Sequence, residues 1–164
     1  MAQSTVLIAH NLRSAHNVGS LLRTAEGLGL KSVYLTGYTP YPIIKDDPRL
    51  PHIRNKIDMQ IHKTALDAEK YLDVTFTENI ESVINELRQD NYSIVGLELD
   101  NQAVDLKDYR RPNKLALLVG REVEGIEPEV LEQCDQIIQI PMRGQKESFN
   151  VVQAAAIALY TLTN

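Results

Sequence analysis

The chain has 164 residues, 43% hydrophobic and 24% charged, with 8 Gly and 7 Pro, the balance of one globular domain over residues 1–164 and not of a disordered or low-complexity segment. No window approaches the ~18 consecutive apolar residues of a membrane span, and no basic stretch followed by an apolar core opens the sequence, so a cytoplasmic protein is expected. A formal charge of −5 argues against a nucleic-acid partner when taken whole, yet residues 1–63 hold 8 Lys/Arg against 4 Asp/Glu while residues 64–164 hold 9 against 18. Any anion-facing surface is therefore expected in the N-terminal third, which also carries all four histidines, His10, His16, His52 and His62.

In chain order, short β-branched and aliphatic runs predict strands at Thr5 to Ala9, Ser32 to Leu35, Val74 to Thr77, Ser93 to Leu99, Leu115 to Val119 and Gln136 to Ile140. Helical spacing falls between them: Val18, Leu21, Leu22, Ala25 and Leu28, then Ile80, Val83, Ile84 and Leu87, then Val130 and Leu131. Alternating strands and helices predict an α/β domain with a mostly parallel sheet and helices on both faces. The stretch from Thr36 to about Ile61 carries Pro40, Pro42, Pro48 and Pro51 and reads as too proline-rich for regular structure. It is predicted to be a functional loop bearing Lys45, Arg49, Arg54 and Lys56. The single cysteine, Cys134, has no partner for an internal disulfide and reads as a buried apolar side chain. The last segment, Ser148 to Leu162, is apolar around nearly its whole circumference and needs cover on more than one side. The sheet supplies one cover and a second subunit the other, so a homodimer is expected.

Three segments carry candidate chemistry. The first, HNLRSAHNVGSLLRTAEGLG at residues 10–29, gathers Asn11, Arg13, His16, Asn17 and Arg23 around the turn after the first strand, the end of an α/β sheet where ligands bind. Asn17 is expected to cap the helix, and Gly19 to let it approach the sheet closely. His10 and His16 lack a third ligand at metal-binding spacing, so no metal is expected. The second, LALLVGREVEGI at residues 115–126, is a buried strand running into a glycine-flanked turn with Glu122. It lacks the second glycine of a dinucleotide fingerprint, and the chain has no phosphate loop of the GxxxxGK[ST] kind. A glycine directly after a strand still exposes backbone groups that can read the polar edge of a bound base. The third, IPMRGQKESFNVVQAAAIALY at residues 140–160, is a strand end, a glycine loop and a helix start. Asn150 and Gln153 suit a capping box. Ser148 and Asn150 beside Met142 and Phe149 would also make an apolar slot with a polar rim, suited to an adenosyl group.

Together the three segments resemble the SPOUT superfamily of methyltransferases, in its SpoU/TrmH branch. The first motif is matched at Asn11, Arg13, Asn17, Gly19, Arg23, Thr24, Ala25 and Gly29. Gly120, Glu122 and Gly125 match the second, and Ile140, Pro141, Met142, Gly144, Ser148, Asn150, Val151 and Ala154 to Ile157 the third. KTALDAE at residues 63–69 looks like a family segment usually written KTALGAE, with Asp67 in place of glycine. Phe149 stands where leucine is usual, and Val152 and Gln153 replace the commoner Ser-Val.

The resemblance implies a parallel α/β sheet closed by a C-terminal deep trefoil knot, which periodicity could not have shown. It further implies transfer of a methyl group from S-adenosylmethionine to a ribose 2'-hydroxyl in tRNA or rRNA. Carried over, the cofactor contacts are Leu97, Glu98, Val119, Gly120, Ile140, Met142, Ser148 and Phe149. The catalytic set is Arg23, Asn17, Glu122, Ser148 and Asn150. RNA contacts are expected from Arg13, His16, Arg23, Arg49, Arg54 and Lys56. Holding a guanidinium neutral at pH 7 would cost roughly 7 kcal/mol for a pKa of at least ~12.5, so Arg23 is expected to act as a fixed cation and not as a base. Asn17 and Glu122 are expected to orient Arg23 and the ribose. No separate RNA-recognition domain is expected, which leaves target choice to the dimer surface and the Thr36 to Ile61 loop. The rival readings are a non-catalytic RNA-binding or assembly factor on the same fold and, disfavoured by the missing glycine fingerprint, a Rossmann-type nucleotide enzyme.

Overall fold

A computed structural model describes residues 3–164. Seven strands form one sheet: β1 (Ser4–His10), β2 (Ser32–Thr36), β3 (Asp73–Thr77), β4 (Ser93–Leu97), β5 (Val104–Asp105), β6 (Lys114–Val119) and β7 (Gln136–Gln139). Their order is β3-β2-β1-β6-β4-β7-β5, and every neighbouring pair is parallel. Four α-helices lie between them, α1 (Ala15–Gly27), α2 (Pro51–Ala65), α3 (Ile80–Gln89) and α4 (Pro128–Leu131), and α5 (Val151–Thr163) follows the last strand.

Period-two alternation sends each central strand into two cores. Leu7 and Ala9 of β1 and Leu115, Leu117 and Val119 of β6 pack with Val18, Leu21, Leu22 and Ala25 of α1, Ile61 and Ala65 of α2, and Ala155, Ala158, Leu159 and Leu162 of α5. The alternate residues, Val6, Ile8, Ala116 and Leu118, meet Ile80, Val83, Ile84 and Leu87 of α3 and Val130 of α4. The α/β reading with helices on both faces holds. Six of the seven strands fall where the sequence places them, although β4 ends at Leu97, two residues short of the expected Leu99. Two-residue β5 carries too little pattern to have been found.

The proline-rich stretch is corrected. Only its first part is irregular, because Pro51 occupies the first turn of α2, where a missing N–H costs nothing, and opens a helix of fifteen residues. Arg49 fastens the irregular part. Its guanidinium bonds both carboxylate oxygens of Asp47 at 2.6 and 2.9 Å, donates to the carbonyls of Tyr41 and Pro42, and lies 3.6 Å over the Tyr41 ring, which stacks on Phe76. Arg49 is therefore committed to the loop's own acceptors, in place of the expected RNA contact. Gly19 is corrected too. A Cβ there would stand 2.2 Å from the Ile61 carbonyl oxygen and 2.1 Å from Thr64 Oγ1, so the glycine admits α2 and not the sheet.

No helix among the described residues is long and apolar enough to cross a membrane. On α5, Ile157 and Tyr160 stay outside the core, 40% and 64% exposed.

Candidate functional site

The carboxyl ends of β4, β6 and β7 are neighbours in the sheet, and the chain leaving each of them turns over the same edge. There the structure opens a small cleft of about 100 Å³, partly open to solvent. Leu97, Glu98 and Leu99 line it after β4, Val119 to Val123 and Gly125 after β6, and Ile140 and Met142 after β7. Ser148, Phe149, Val151 and Ala154 close it from the start of α5. All eight residues expected to contact a cofactor thus line one cleft.

Sequence explains its rigidity. Gly120 has no room for a side chain, since a Cβ would lie 2.7 Å from the Ile126 amide nitrogen. Gly125 adopts φ +73° and lies against the Glu98 carboxylate. Glu98 in turn accepts from the Ile126 amide at 2.9 Å and from the Leu99 amide at 3.0 Å, tying the end of β4 to the turn after β6. Asn150 caps α5, accepting from the Val152 amide at 2.9 Å. Gln153 is exposed and makes no hydrogen bond back to Asn150 among the described residues, so a simple cap replaces the expected box.

The turn after β6 also reaches the first motif. The Glu122 carboxylate accepts from the backbone amides of Arg13 and Ser14 at 3.0 to 3.2 Å and from Asn17 Nδ2 at 3.3 Å. Burial works to raise this carboxyl, but those donors outweigh it and hold the group below its ordinary value. Glu124 pairs with Arg13 at 2.7 Å. The cap of α1 is Ser14, whose hydroxyl accepts from the Asn17 amide. Asn17 lies inside the first turn, which frees its side chain for Glu122 and corrects the expected capping role. Asn11 has φ +56°, accepts from the Tyr38 amide at 3.1 Å and donates to Glu127 at 2.7 Å. His10 bonds Thr36 at 2.8 Å. Its burial lowers its pKa against the pull of Glu127. Arg121 and Glu127 at this junction were missed: both lie in loop sequence, and only the fold brings them beside His10 and Asn11.

Arg23 is elsewhere. It is exposed on α1 and, with Thr24, Gly27 and Leu28, faces Ile157 and Tyr160 of α5 across a shallow groove. Asn17 and Glu122 bond each other and not Arg23, so within one chain they do not orient it as expected. The six-residue step from Asn17 to Arg23 turns the arginine well around the helix. His16 and Lys56 are exposed, and Arg54 is half-buried with one donor on the Asp47 carbonyl. Among the described residues, one trio has metal-ligand proximity, His62, Asp67 and Glu69, and it spans the C-terminal end of α2, outside the cleft.

A parallel sheet with a small-molecule cleft at the carboxyl ends of adjacent strands defines a ligand-binding α/β domain. Residues 4–160 match the SpoU rRNA Methylase family, and the chain belongs to it. It is 31% identical over 157 residues, 96% of this chain, to a TrmH family protein of Staphylococcus haemolyticus provisionally named a tRNA/rRNA methyltransferase. The chain spans 57% of that relative's length. Among solved structures, the SpoU methyltransferase AviRb of Streptomyces viridochromogenes, in complex with the cofactor AdoMet, superposes with a TM-score of 0.83 at 20% identity, covering 99% of this chain and 58% of that one. A chain solved for insight into 2-OH methylation of C/U34 on tRNA gives 0.77 at 22% identity, covering 96% and 93%. These likenesses establish the fold.

Proposed function

We propose that the chain binds S-adenosylmethionine in the cleft after β4, β6 and β7 and methylates a ribose 2'-hydroxyl of tRNA or rRNA in the cytoplasm. The observation that carries this is the convergence of the second and third motifs and the end of β4 on one cleft, its walls supplied by Leu97, Val119, Ile140, Met142 and Phe149 and its rim by Glu98, Glu122 and Ser148. The lining suits that cofactor: apolar side chains for the adenosyl face, strand-end backbone for polar edges, and two carboxylates against one arginine for a cationic sulfonium. When bound, the cofactor supplies a methyl group that is already electrophilic, which leaves the protein to position the hydroxyl and manage its charge. The AdoMet complex of AviRb supports the cofactor, and the tRNA-methylating neighbour supports the substrate class.

The position of Arg23 supports a homodimer. The α1–α5 groove joins exposed Ile157 and Tyr160 to Arg23, and pairing two chains over it covers the apolar face of α5 and carries Arg23 toward the partner's cleft. There the guanidinium, kept charged, would grip a phosphate beside the target and stabilise developing alkoxide charge. In the same reading Asn17 and Glu122 hold the first-motif loop in place, and Ser148 and Asn150 order the loop that enters α5. Arg13, His16 and Lys56 supply an exposed surface for the RNA backbone. The C-terminal trefoil knot belongs to this reading as well, with α5, packed between α1 and the sheet, as the threaded helix.

Calorimetric titration with S-adenosylmethionine, followed by transfer of labelled methyl to RNA from cells lacking the protein, tests the proposal. Binding with ribose 2'-O-methylation is expected. Absence of binding at high micromolar concentration would replace it with the non-catalytic factor. Arg23→Lys at near wild-type rate would refute the fork-shaped electrostatic role. Ile157→Asp is expected to yield monomers in sedimentation, and an unchanged oligomeric state would place any interface elsewhere.

A further inference from the structure

We propose that Glu127 is a positioning residue that couples occupancy of the cleft to the order of the Asn11–Asn17 loop, an inference that rests on the cofactor reading above. Glu127 lies outside the glycine-flanked turn that the family motif specifies, and it starts α4 without capping it. Its side chain turns instead to the other motif. One oxygen, Oε1, accepts from Asn11 Nδ2 at 2.7 Å and lies 3.6 Å from Arg121 Nε. The other, Oε2, is buried without a hydrogen-bond partner among the described residues, 3.6 Å from His10 Nε2.

A buried carboxylate oxygen left unpaired is costly, and His10 Nε2 already accepts from Asn11 Nδ2 at 3.1 Å, so a small approach of Arg121 is favoured. Arg121 is currently occupied on the cleft side, where its Nε donates to the Gly125 carbonyl at 3.0 Å and its backbone exchanges two 3.2 Å hydrogen bonds with Gly125. Both residues line the cleft. A molecule seated against them shifts the balance between Gly125 and Glu127 for the Arg121 guanidinium, and with it the hold of Glu127 on Asn11. Asn11 is sensitive to that hold, because its left-handed backbone is maintained by side-chain bonds to Glu127, His10 and Tyr38, of which the one to Glu127 is the shortest. The loop that follows carries Arg13 and Asn17, so the cofactor would prepare the surface that receives RNA.

Hydrogen–deuterium exchange of the intact protein, with and without saturating S-adenosylhomocysteine, tests this without an RNA. In the wild type the amides of residues 11–14 are expected to slow about fivefold or more on binding, the lower end of typical coupling between sites. Glu127→Ala is expected to bind the nucleoside comparably in calorimetry and to lose that slowing. Glu127→Gln retains an acceptor for Asn11 without the charge facing Arg121, and is expected to keep ligand-free exchange near wild type while the ligand effect shrinks. It carries the test if the alanine variant does not fold. A merely structural role would speed exchange equally in both states and leave the ratio unchanged, which would overturn the coupling. So would a wild type that binds the nucleoside with no change at residues 11–14. Failure to bind at all would sink the cofactor reading itself and the coupling with it.

Discussion

Replacing Gly19 by alanine places a methyl group in the contact between α1 and α2. The new Cβ would sit 2.2 Å from the Ile61 carbonyl oxygen, 2.1 Å from Thr64 Oγ1 and 3.0 Å from the Ala65 amide nitrogen. Because real Cβ atoms stay beyond 3.0 Å, the helices must separate by about 0.8 Å at the Ile61 oxygen. Thr64 can rotate away only by giving up its 2.8 Å hydrogen bond to the His16 carbonyl, a loss of about 0.5–1.5 kcal/mol. Overpacking adds about 1–3 kcal/mol, and alanine's better helix propensity returns about 1 kcal/mol. The net destabilisation is about 0.5–3.5 kcal/mol, a fall in Tm of roughly 1–14 °C for a domain of this size. Thermal unfolding followed by circular dichroism measures it. The backbone oxygen makes a second demand: adding Thr64→Ala removes the hydroxyl but leaves Ile61 in place, so the double variant should not recover. A Gly19→Ala protein as stable as wild type, or one rescued by Thr64→Ala, would refute the reasoning.

Three further outcomes are expected. Burial among Gly96, Leu131 and Val130 pushes the Cys134 thiol up to about 11 from 9.0, so its alkylation at pH 8 should run about a hundredfold slower than that of an ordinary cysteine, and a comparable rate would show the thiol is reactive. Hydrogen bonds from Arg49 hold the Asp47 carboxyl well below the usual carboxylate range, so its contribution is complete above about pH 4 and lost as pH falls further. Proteolysis of the 37–50 loop should accordingly rise only in acid, whereas Asp47→Asn should open it at neutral pH; no difference between the two proteins at pH 7 would count against the clasp. The Glu69 carboxylate at 2.6 Å raises the His62 pKa above 6.5, so that pair's contribution is present below pH 6.5 and fades as pH rises through the folded value. An imidazole titration by NMR with a midpoint at or below 6.5, or one that Glu69→Gln leaves in place, would contradict this.

What the sequence made legible follows from how local each signal is. The six longer strands are written in short aliphatic runs, α1 and α3 in a period near 3.6 residues and α5 in an almost continuous apolar stretch, signals that survive without knowledge of neighbours. The lining of the cleft was legible through the family resemblance, whose motifs include Gly120 and Gly125, two positions that the fold confines sterically. Asp67 illustrates a partial signal. It stands where the related segment has glycine and adopts φ +72°, a conformation that glycine takes freely and aspartate tolerates. Composition misled at Pro51, because a proline count cannot distinguish a loop from the first turn of a helix.

Side-chain destination was the least legible property, and the charged residues show why. Arg49, Arg13 and Arg23 look alike as basic residues in the N-terminal third, yet one clasps its own loop, one pairs with Glu124 at the rim of the cleft and one faces the groove beside α5. The fate of Arg49 depends on how its own loop folds back, and that of Arg13 on an acceptor 111 residues away. The same holds for Asn17, whose amide was free for Glu122 only because Ser14 had already capped the helix. On the proposed function, an arrangement that joins Asn17 and Glu122 in one chain while Arg23 lies across α1 would need a second chain to complete it. The monomer would then account for cofactor capture but not for the placement of the cation at the ribose. Concentration dependence separates the two steps: calorimetric cofactor affinity should be unaffected by Ile157→Asp, while methyl transfer by that variant should collapse, and equal loss of both would show that the cleft itself depends on the dimer.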